Sequence, residues 1–528
     1  MNLSRRSFTK LGAAAAIKSS ALAKGLSEVD APPPLWGELT ADMSTRSAPF
    51  NRMIFGGFLE HFHREVYGGV FDPGSPLADK EGFRLDVIEA LRELKVPVVR
   101  WPGGCFASAY HWRDGVGKNR QPSFNLAWGV QDSNTFGTDE YIQWCRRIEA
   151  EPYICTNAGT GTPEEMSDWV EYCNLPDQGR NAQMRIANGS SQPYNVRYWS
   201  IGNENYFSTE IGSKTIEQWI PFVRESEQLM RAVVSNIQLL AAATVSGNWT
   251  KLMLQNAGKP LDYISIHGYW DPLWAAGTTP KDYSQCMAVI EAPEKQIAQA
   301  IELLTQSGFG DRIKIAFDEW NLRSWHHPGF PGGGANHADW IRDRDENDRN
   351  DTFTMADAVF SASFLNGCIR HSKYVQMACI SPIVNVRGPL YVHPKGVVRR
   401  TTFHAIKMYS NLLQPNLVGS QVVGEPLNIG QVSVPALDAV TTCSEDKKRV
   451  AIALVNRDPE RSARWKLNLR NSRWRPEGRI TILSGDSTDA YNDVLRPNRV
   501  VPQTASFRTD SGALAVPAHS VAIAELSA

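Results

Sequence analysis

The sequence predicts an α/β fold: a (β/α)8 TIM barrel followed by a C-terminal β-sandwich. Three observations carry this. Between about residues 51 and 416, short apolar runs alternate eight times with amphipathic runs, the order of a barrel of parallel strands. Two of those runs end in the carboxylates Glu204 and Glu319, and the C-terminal ends of barrel strands are where such folds keep their chemistry. Beyond about residue 417 the helical period stops and short alternating runs separated by turn residues take over.

At 528 residues the chain is long enough for one large barrel and a smaller domain. Its formal net charge of −1 argues against nucleic acid or an anionic membrane surface as partner. The eight cysteines are scattered, with no Cys-x-x-Cys pair, and several fall in apolar runs. They read as buried thiols rather than a disulfide framework.

The first residues, Ser4-Arg5-Arg6-Ser7-Phe8-Thr9-Lys10, resemble a twin-arginine export signal. A short Ala-rich apolar stretch and Ala21-Leu22-Ala23, an A-x-A-like cleavage site, follow. We therefore expect residues 1–23 to be a signal peptide and the mature protein to be periplasmic or secreted. That stretch is too short to span a bilayer, and the mature chain is expected to have no membrane partner. Residues 24–34 read as a Pro-rich linker, and 35–50 as an N-terminal strand that joins the sandwich.

The barrel strands are expected over 53–58, 97–101, 152–156, 196–202, 238–244, 262–269, 313–317 and 374–381. The helix over 86–95 puts Val87, Ala90, Leu91 and Leu94 on one face. A helix opens at Thr138, read as its N-cap, with Asp139 and Glu140 in the first turn. Further helices are expected over 163–172, 216–235, 293–307, 352–366 and 401–413. At roughly 30–40 residues per βα unit, Glu204 and Glu319 lie three units apart, on strands four and seven. Two carboxylates facing one cleft are what glycoside hydrolysis needs. In the second domain, strands are expected over 432–434, 439–443, 450–455, 465–469, 479–483 and 521–526.

Several sequence features are expected to be silent. His326-His327 has the look of a metal pair but no carboxylate at ligand spacing, so neither metal nor cofactor is expected. Cys105 has no second Cys or suitably spaced His to make it a nucleophile. The mixed-sign run 342–351 reads as a solvated loop and helix entry. The Gly-rich tip 331–334 could make its loop a cap over the cleft.

Four stretches, in this order, resemble glycoside hydrolase family 51, the α-L-arabinofuranosidases. They are Gly57-Phe58-Leu59-Glu60-His61, Arg100-Trp101-Pro102-Gly103-Gly104-Cys105-Phe106, Gly202-Asn203-Glu204 and Asp318-Glu319-Trp320-Asn321. Trp112-Arg113-Asp114-Gly115-Val116-Gly117 adds a fifth. The resemblance implies a retaining exo-hydrolase that releases terminal arabinofuranosyl residues from plant polysaccharides or their oligosaccharides. Glu204 would be the general acid/base and Glu319 the nucleophile. Asn203 resembles the amide on the sugar 2-hydroxyl, and Tyr269 the tyrosine that holds the nucleophile ionised. Glu60 and Cys105 resemble residues that contact the terminal sugar, and Trp128 an aromatic that walls the pocket. His267 is a further candidate for substrate contact. Arg100 is expected to hold a carboxylate, with Asn157 and Trp320 as supporting residues. The family is often oligomeric, so self-association is also implied.

Two departures leave the sugar open. Pro382 stands where the family commonly has a glutamine that reaches the sugar. The segment 205–210 reads Asn-Tyr-Phe-Ser-Thr-Glu where a Trp-Gln pair is common. Neither touches the carboxylates, so the chemistry is better defined than the substrate. Another furanoside, a β-xyloside or an internal β-glucan bond are alternatives. A catalytically silent sugar-binding protein on the same fold is the alternative from a different class.

Overall fold

The computed structural model describes residues 32–274, 278–326 and 346–528. The export signal, the tip 331–334, His327 and part of 342–351 lie outside the described residues. Eight parallel strands close into a barrel. They are β1 (Gly56–Phe58), β2 (Val98–Trp101), β3 (Glu151–Thr156), β4 (Tyr198–Ile201), β5 (Gln238–Ala242), β6 (Tyr263–Asp271), β7 (Lys314–Arg323) and β8 (Val375–Ile380). The barrel is filled, not hollow. Phe58, Val98, Tyr153, Tyr198, Leu240, Tyr263, Ala316 and Met377, one side chain from each strand, pack in a single apolar cluster with Cys379. That cluster is the floor on which the polar residues nearer the strand ends rest.

Local differences from the expected elements have physical causes. The start of the first expected strand is a 3-10 turn, Arg52–Phe55, because the Asn51 side chain caps it by accepting from the Met53 amide. Strand β7 runs on to Arg323, so Glu319 lies inside the strand rather than after it. The N-cap of the helix Thr138–Ile148 is Gly137, not Thr138. The Glu140 carboxylate takes the Gly137 amide (2.9 Å), while the Thr138 hydroxyl is used by the Trp169 indole (3.0 Å). Helices Arg180–Ala187, Trp249–Ala257 and Tyr283–Ala288 were not expected; each is too short to show a clear apolar stripe.

The sandwich has a four-stranded and a seven-stranded sheet. Strand Leu35–Asp42 pairs with Ala463–Arg470 and Ser420–Gly424, so the chain contributes to this domain before it enters the barrel. Helix Met355–Arg370 lies between the two domains, and every residue from Met355 to Ile369 is buried. On the barrel side Phe364 stacks on Trp320, with ring centroids 4.0 Å apart. On the sandwich side Asn366 and Arg370 bond Asp438 at 3.0 and 2.7 Å. A helix apolar on nearly all sides needs a layer on each face, and here it has both.

Candidate active site

Strand periodicity aims the first set of side chains. On β6, Ser265, His267 and Tyr269 are two residues apart and share the inner face. On β2 the same rule points Arg100 inward with Val98. Strand β7 breaks the alternation. Ala316 and Glu319 pair with Ser265 and His267, so two residues of β7 oppose one of β6, and the register against β8 shifts between Phe317 and Trp320. This bulge turns both Asp318 and Glu319 toward the barrel axis. Trp320 then points outward to the helix layer.

Glu204 is placed differently. Strand β4 ends at Ile201, and Gly202 turns with φ +72°; a Cβ there would also meet Asn205 Oδ1 at 2.1 Å. Glu204 itself has φ +45°, a left-handed conformation that non-glycine residues seldom adopt. That turn brings its carboxylate over the barrel end. One oxygen each of Glu204 and Glu319 and a nitrogen of His267 lie within 4.8 Å of one another.

Arg100 is the hub. It is fully buried and pairs with Glu319 through Nη1. Its Nη2 donates to Asn203 Oδ1 (2.8 Å), and its Nε lies 3.3 Å from Asp318. Asp318 also accepts from the Tyr153 hydroxyl (2.6 Å) and from Ser265 (2.7 Å). Asp318 thus anchors the hub. Because Arg100 occupies Asn203 Oδ1, the amide nitrogen of Asn203 is oriented away from it as a donor.

The electrostatics separate the two catalytic candidates. Burial alone would raise the pKa of Glu319, but His267, Arg100 and the Tyr269 hydroxyl (2.7 Å) together hold it below the ordinary carboxylate value. Burial opposes charge on His267, yet Glu319, Glu204 and Asp318 push its pKa up to about 9. Nδ1 of His267 is 2.7 Å from Glu204 and 3.6 Å from Glu319.

Glu60 is buried, and its Oε1 accepts from the Gly104 and Phe106 amides (3.0 and 2.9 Å) and the Trp128 indole (3.1 Å). Burial and the negative charge of Glu319 nonetheless push its pKa up to about 8. Trp128 therefore backs Glu60 and does not border the cavity. Asn157 is a loop clamp: its Oδ1 accepts the amides of Gly159, Thr160 and Gly161 at 2.9 to 3.0 Å.

A cavity of about 830 Å³ opens over these groups. Glu60, Cys105, Glu204, His267, Tyr269 and Glu319 line its inner end. Phe207, Trp274 and Trp325 border it further out, and Phe207 and Trp274 are about half exposed. Pro382 follows Ser381, whose Oγ lies 2.8 Å from the Tyr269 hydroxyl, so serine stands beside this tyrosine.

Glu210 was not singled out from the sequence as a site residue. It is buried, accepts from Ser108 (2.5 Å), and lies beside Cys105 and Asn203. Burial and the Glu204 charge push its pKa up to about 7. The signal was present: position 210 lies in the segment that departs from the family. Cys105, Glu204 and Glu210 also converge within 4.8 Å, close enough to hold a cation. A cation there would compete for the Glu204 carboxylate.

Residues 90–285 match the model of the alpha-L-arabinofuranosidase 1 domain, and 318–520 that of the alpha-L-arabinofuranosidase C-terminal domain. The chain is 33% identical to the probable alpha-L-arabinofuranosidase C of Aspergillus clavatus, over 94% of this chain and 98% of the fungal one. It is 30% identical to an intracellular exo-alpha-(1->5)-L-arabinofuranosidase of Acetivibrio thermocellus, over 80% and 85% of the two chains. The structure of the GH51 alpha-L-arabinofuranosidase of Thermotoga petrophila superposes with a TM-score of 0.83 at 30% identity, covering 93% of this chain and 99% of that one. The chain belongs to glycoside hydrolase family 51, the α-L-arabinofuranosidases.

Proposed function

We propose that this protein is a retaining, exo-acting α-L-arabinofuranosidase that removes terminal arabinofuranosyl residues by double displacement. The observation that carries this is the pair Glu204 and Glu319, with carboxylate oxygens within 4.8 Å of each other at the inner end of one cavity. Retaining glycosidases hold their two carboxyl groups about 5–5.5 Å apart, whereas inverting ones leave about 6.5–9.5 Å for a water.

In the first step an oxygen of Glu319 attacks the anomeric carbon, and the bond to the leaving oxygen breaks. Glu204 gives its proton to that oxygen, so the alcohol departs neutral. A glycosyl ester on Glu319 remains. In the second step Glu204 takes a proton from water, the water oxygen attacks the anomeric carbon, and Glu319 leaves as a carboxylate. Arg100, Tyr269 and His267 stabilise that carboxylate, which makes it both an ionised nucleophile and a good leaving group. The oriented amide of Asn203 is a donor for the sugar 2-hydroxyl, a contact that strengthens in the transition state. Glu60 and Cys105, which line the same cavity, are further contacts for the terminal sugar.

The test is release of 4-nitrophenol from a panel of aryl glycosides by the mature chain, with the anomer of the first-formed sugar read by NMR. The α-L-arabinofuranoside should be the best substrate and give a retained product. Faster turnover of a β-xyloside or β-glucoside would replace the substrate, and an inverted product would replace the mechanism.

Export by the twin-arginine route is part of the same reading. It rests on Ser4 to Lys10 and on eight cysteines that are all buried and free, as suits a protein folded before export. Replacing Arg5 and Arg6 by lysine should retain the protein in the cytoplasm. Self-association, which the family resemblance implies, is read by sedimentation velocity.

A further inference from the structure

Arg387 is 1% exposed, and its Nε, Nη1 and Nη2 are all buried with no hydrogen-bond partner among the described residues. Other buried arginines of this chain are not left so. Arg185, equally buried, places its three nitrogens on the carbonyls of Tyr172, Leu175, Pro176 and Ser190. Arg400 donates to Asn350 Oδ1 and to the carbonyls of Val386, Gly388 and Asp348.

The carboxylates that act on Arg387, Asp357 and Asp271, are already taken, and so is Asp348, which accepts the amide of the preceding Val386. Asp357 is held by both ends of Arg323 at 2.8 and 3.1 Å. Asp271 is held by Arg323 at 2.9 Å and by Lys281 at 3.2 Å. Asp348 pairs with Arg64 at 3.0 Å. The guanidiniums of Arg387 and Arg400 lie 5.7 and 3.8 Å from the centre of the same Phe353 ring. The surroundings therefore hold an excess of positive charge. Burial, with repulsion from Arg323 and Arg400, pushes the pKa of Arg387 down to about 9. A neutral water could relieve the unmade hydrogen bonds but not the charge. A buried ion without a counter-charge is strongly unfavourable.

We propose that Arg387 forms a buried binding site for a small monovalent anion, with chloride the physiological occupant. The site is separate from the cavity and does not depend on which sugar is hydrolysed. The Arg387 carbonyl accepts from Asn321 Nδ2 (2.9 Å), two residues beyond Glu319, so the loop that carries the site is tied to β7.

An anion that binds the folded chain alone raises its melting temperature. Thermal unfolding of the wild type in sodium chloride, against sodium gluconate at equal ionic strength, should show a saturable rise of several degrees in the millimolar range. Arg387→Met should lose that dependence. Equal melting in the two salts, or an unchanged chloride response in Arg387→Met, would overturn the site. Should the variant fail to fold, wild-type crystals grown in sodium bromide decide the matter. An anomalous peak in contact with the Arg387 nitrogens is expected, and no peak there refutes the proposal.

Discussion

Nδ1 of His267 lies 2.7 Å from Oε1 of Glu204, so the imidazole and the candidate acid compete for one proton. The same nitrogen is 3.6 Å from Glu319. The imidazole is therefore held as a cation between two carboxylates, and burial, which opposes its charge, is outweighed by them. This has a consequence for stability. The folded pKa is raised to about 9 from an ordinary value of 6.5. The stabilisation is fully present below about pH 6.5, where folded and unfolded states are both protonated, and is lost as pH rises through about 9. Melting temperature should fall across that window. In His267→Gln this part of the fall should disappear, with a lower melting temperature at pH 6. A parallel fall in both proteins would remove His267 from the account.

The two carboxylates should separate by leaving group. General acid catalysis contributes about 10²–10⁴-fold. Glu204→Ala should lose that much kcat/KM on an arabino-oligosaccharide, whose leaving alcohol needs a proton. It should lose far less on a dinitrophenyl arabinofuranoside, whose leaving phenolate does not. Glu319→Ala should lose activity on both, because no group remains to form the ester. Added azide should then give an inverted glycosyl azide in Glu319→Ala and a retained one in Glu204→Ala, which NMR distinguishes.

Much of this site was legible because strand periodicity is simple. Apolar runs ending in Asn203-Glu204 and Asp318-Glu319 marked β4 and β7, Tyr269 was carried by the family resemblance, and the alternation along β6 that puts it on one face with His267 is seen in the structure. Asp318 was not legible, since strict alternation would turn it away from Glu319; only the bulge of β7 faces both inward. Glu210 was hidden for another reason. It lies past the end of β4 in a loop whose path no sequence period gives, and its burial is tertiary. The sandwich edge was missed on composition. Strand Gln503–Arg508 is exposed at five of six positions, so it carries no apolar alternation. By contrast Trp128 sits where the sequence placed it, in the loop after β2, but its indole is spent on Glu60.

Gly104 tests how tightly the nucleophile is seated. A Cβ on this residue would lie 2.9 Å from Glu319 Oε1 and 3.6 Å from the Asn203 amide. The backbone must pass this close for its amide to reach Glu60. Gly104→Ala should push the carboxylate off its line of attack, and a misplacement of about 1 Å costs about 10² in rate. We expect kcat/KM to drop by about that factor, with kcat affected more than KM and an unchanged circular dichroism spectrum. An alanine variant with full kcat would mean that Glu319 shifts freely without loss.

Glu210 offers the last test, since it is a buried carboxyl next to the candidate acid/base. Burial first, and then the Glu204 charge, raise its pKa to about 7 from an ordinary 4.5. A raised carboxyl pKa has the opposite sign to a salt bridge. Between about pH 4.5 and 7 the unfolded chain has released this proton and the folded chain has not, so folding stability falls as pH rises through that window. Above pH 7 both states are ionised and the loss is complete. Glu210→Gln carries no such proton and keeps a partner for Ser108. The variant should therefore gain melting temperature relative to the wild type on going from pH 5 to pH 8. A stability difference between the two proteins that is flat from pH 5 to pH 8 would show that Glu210 is ionised throughout.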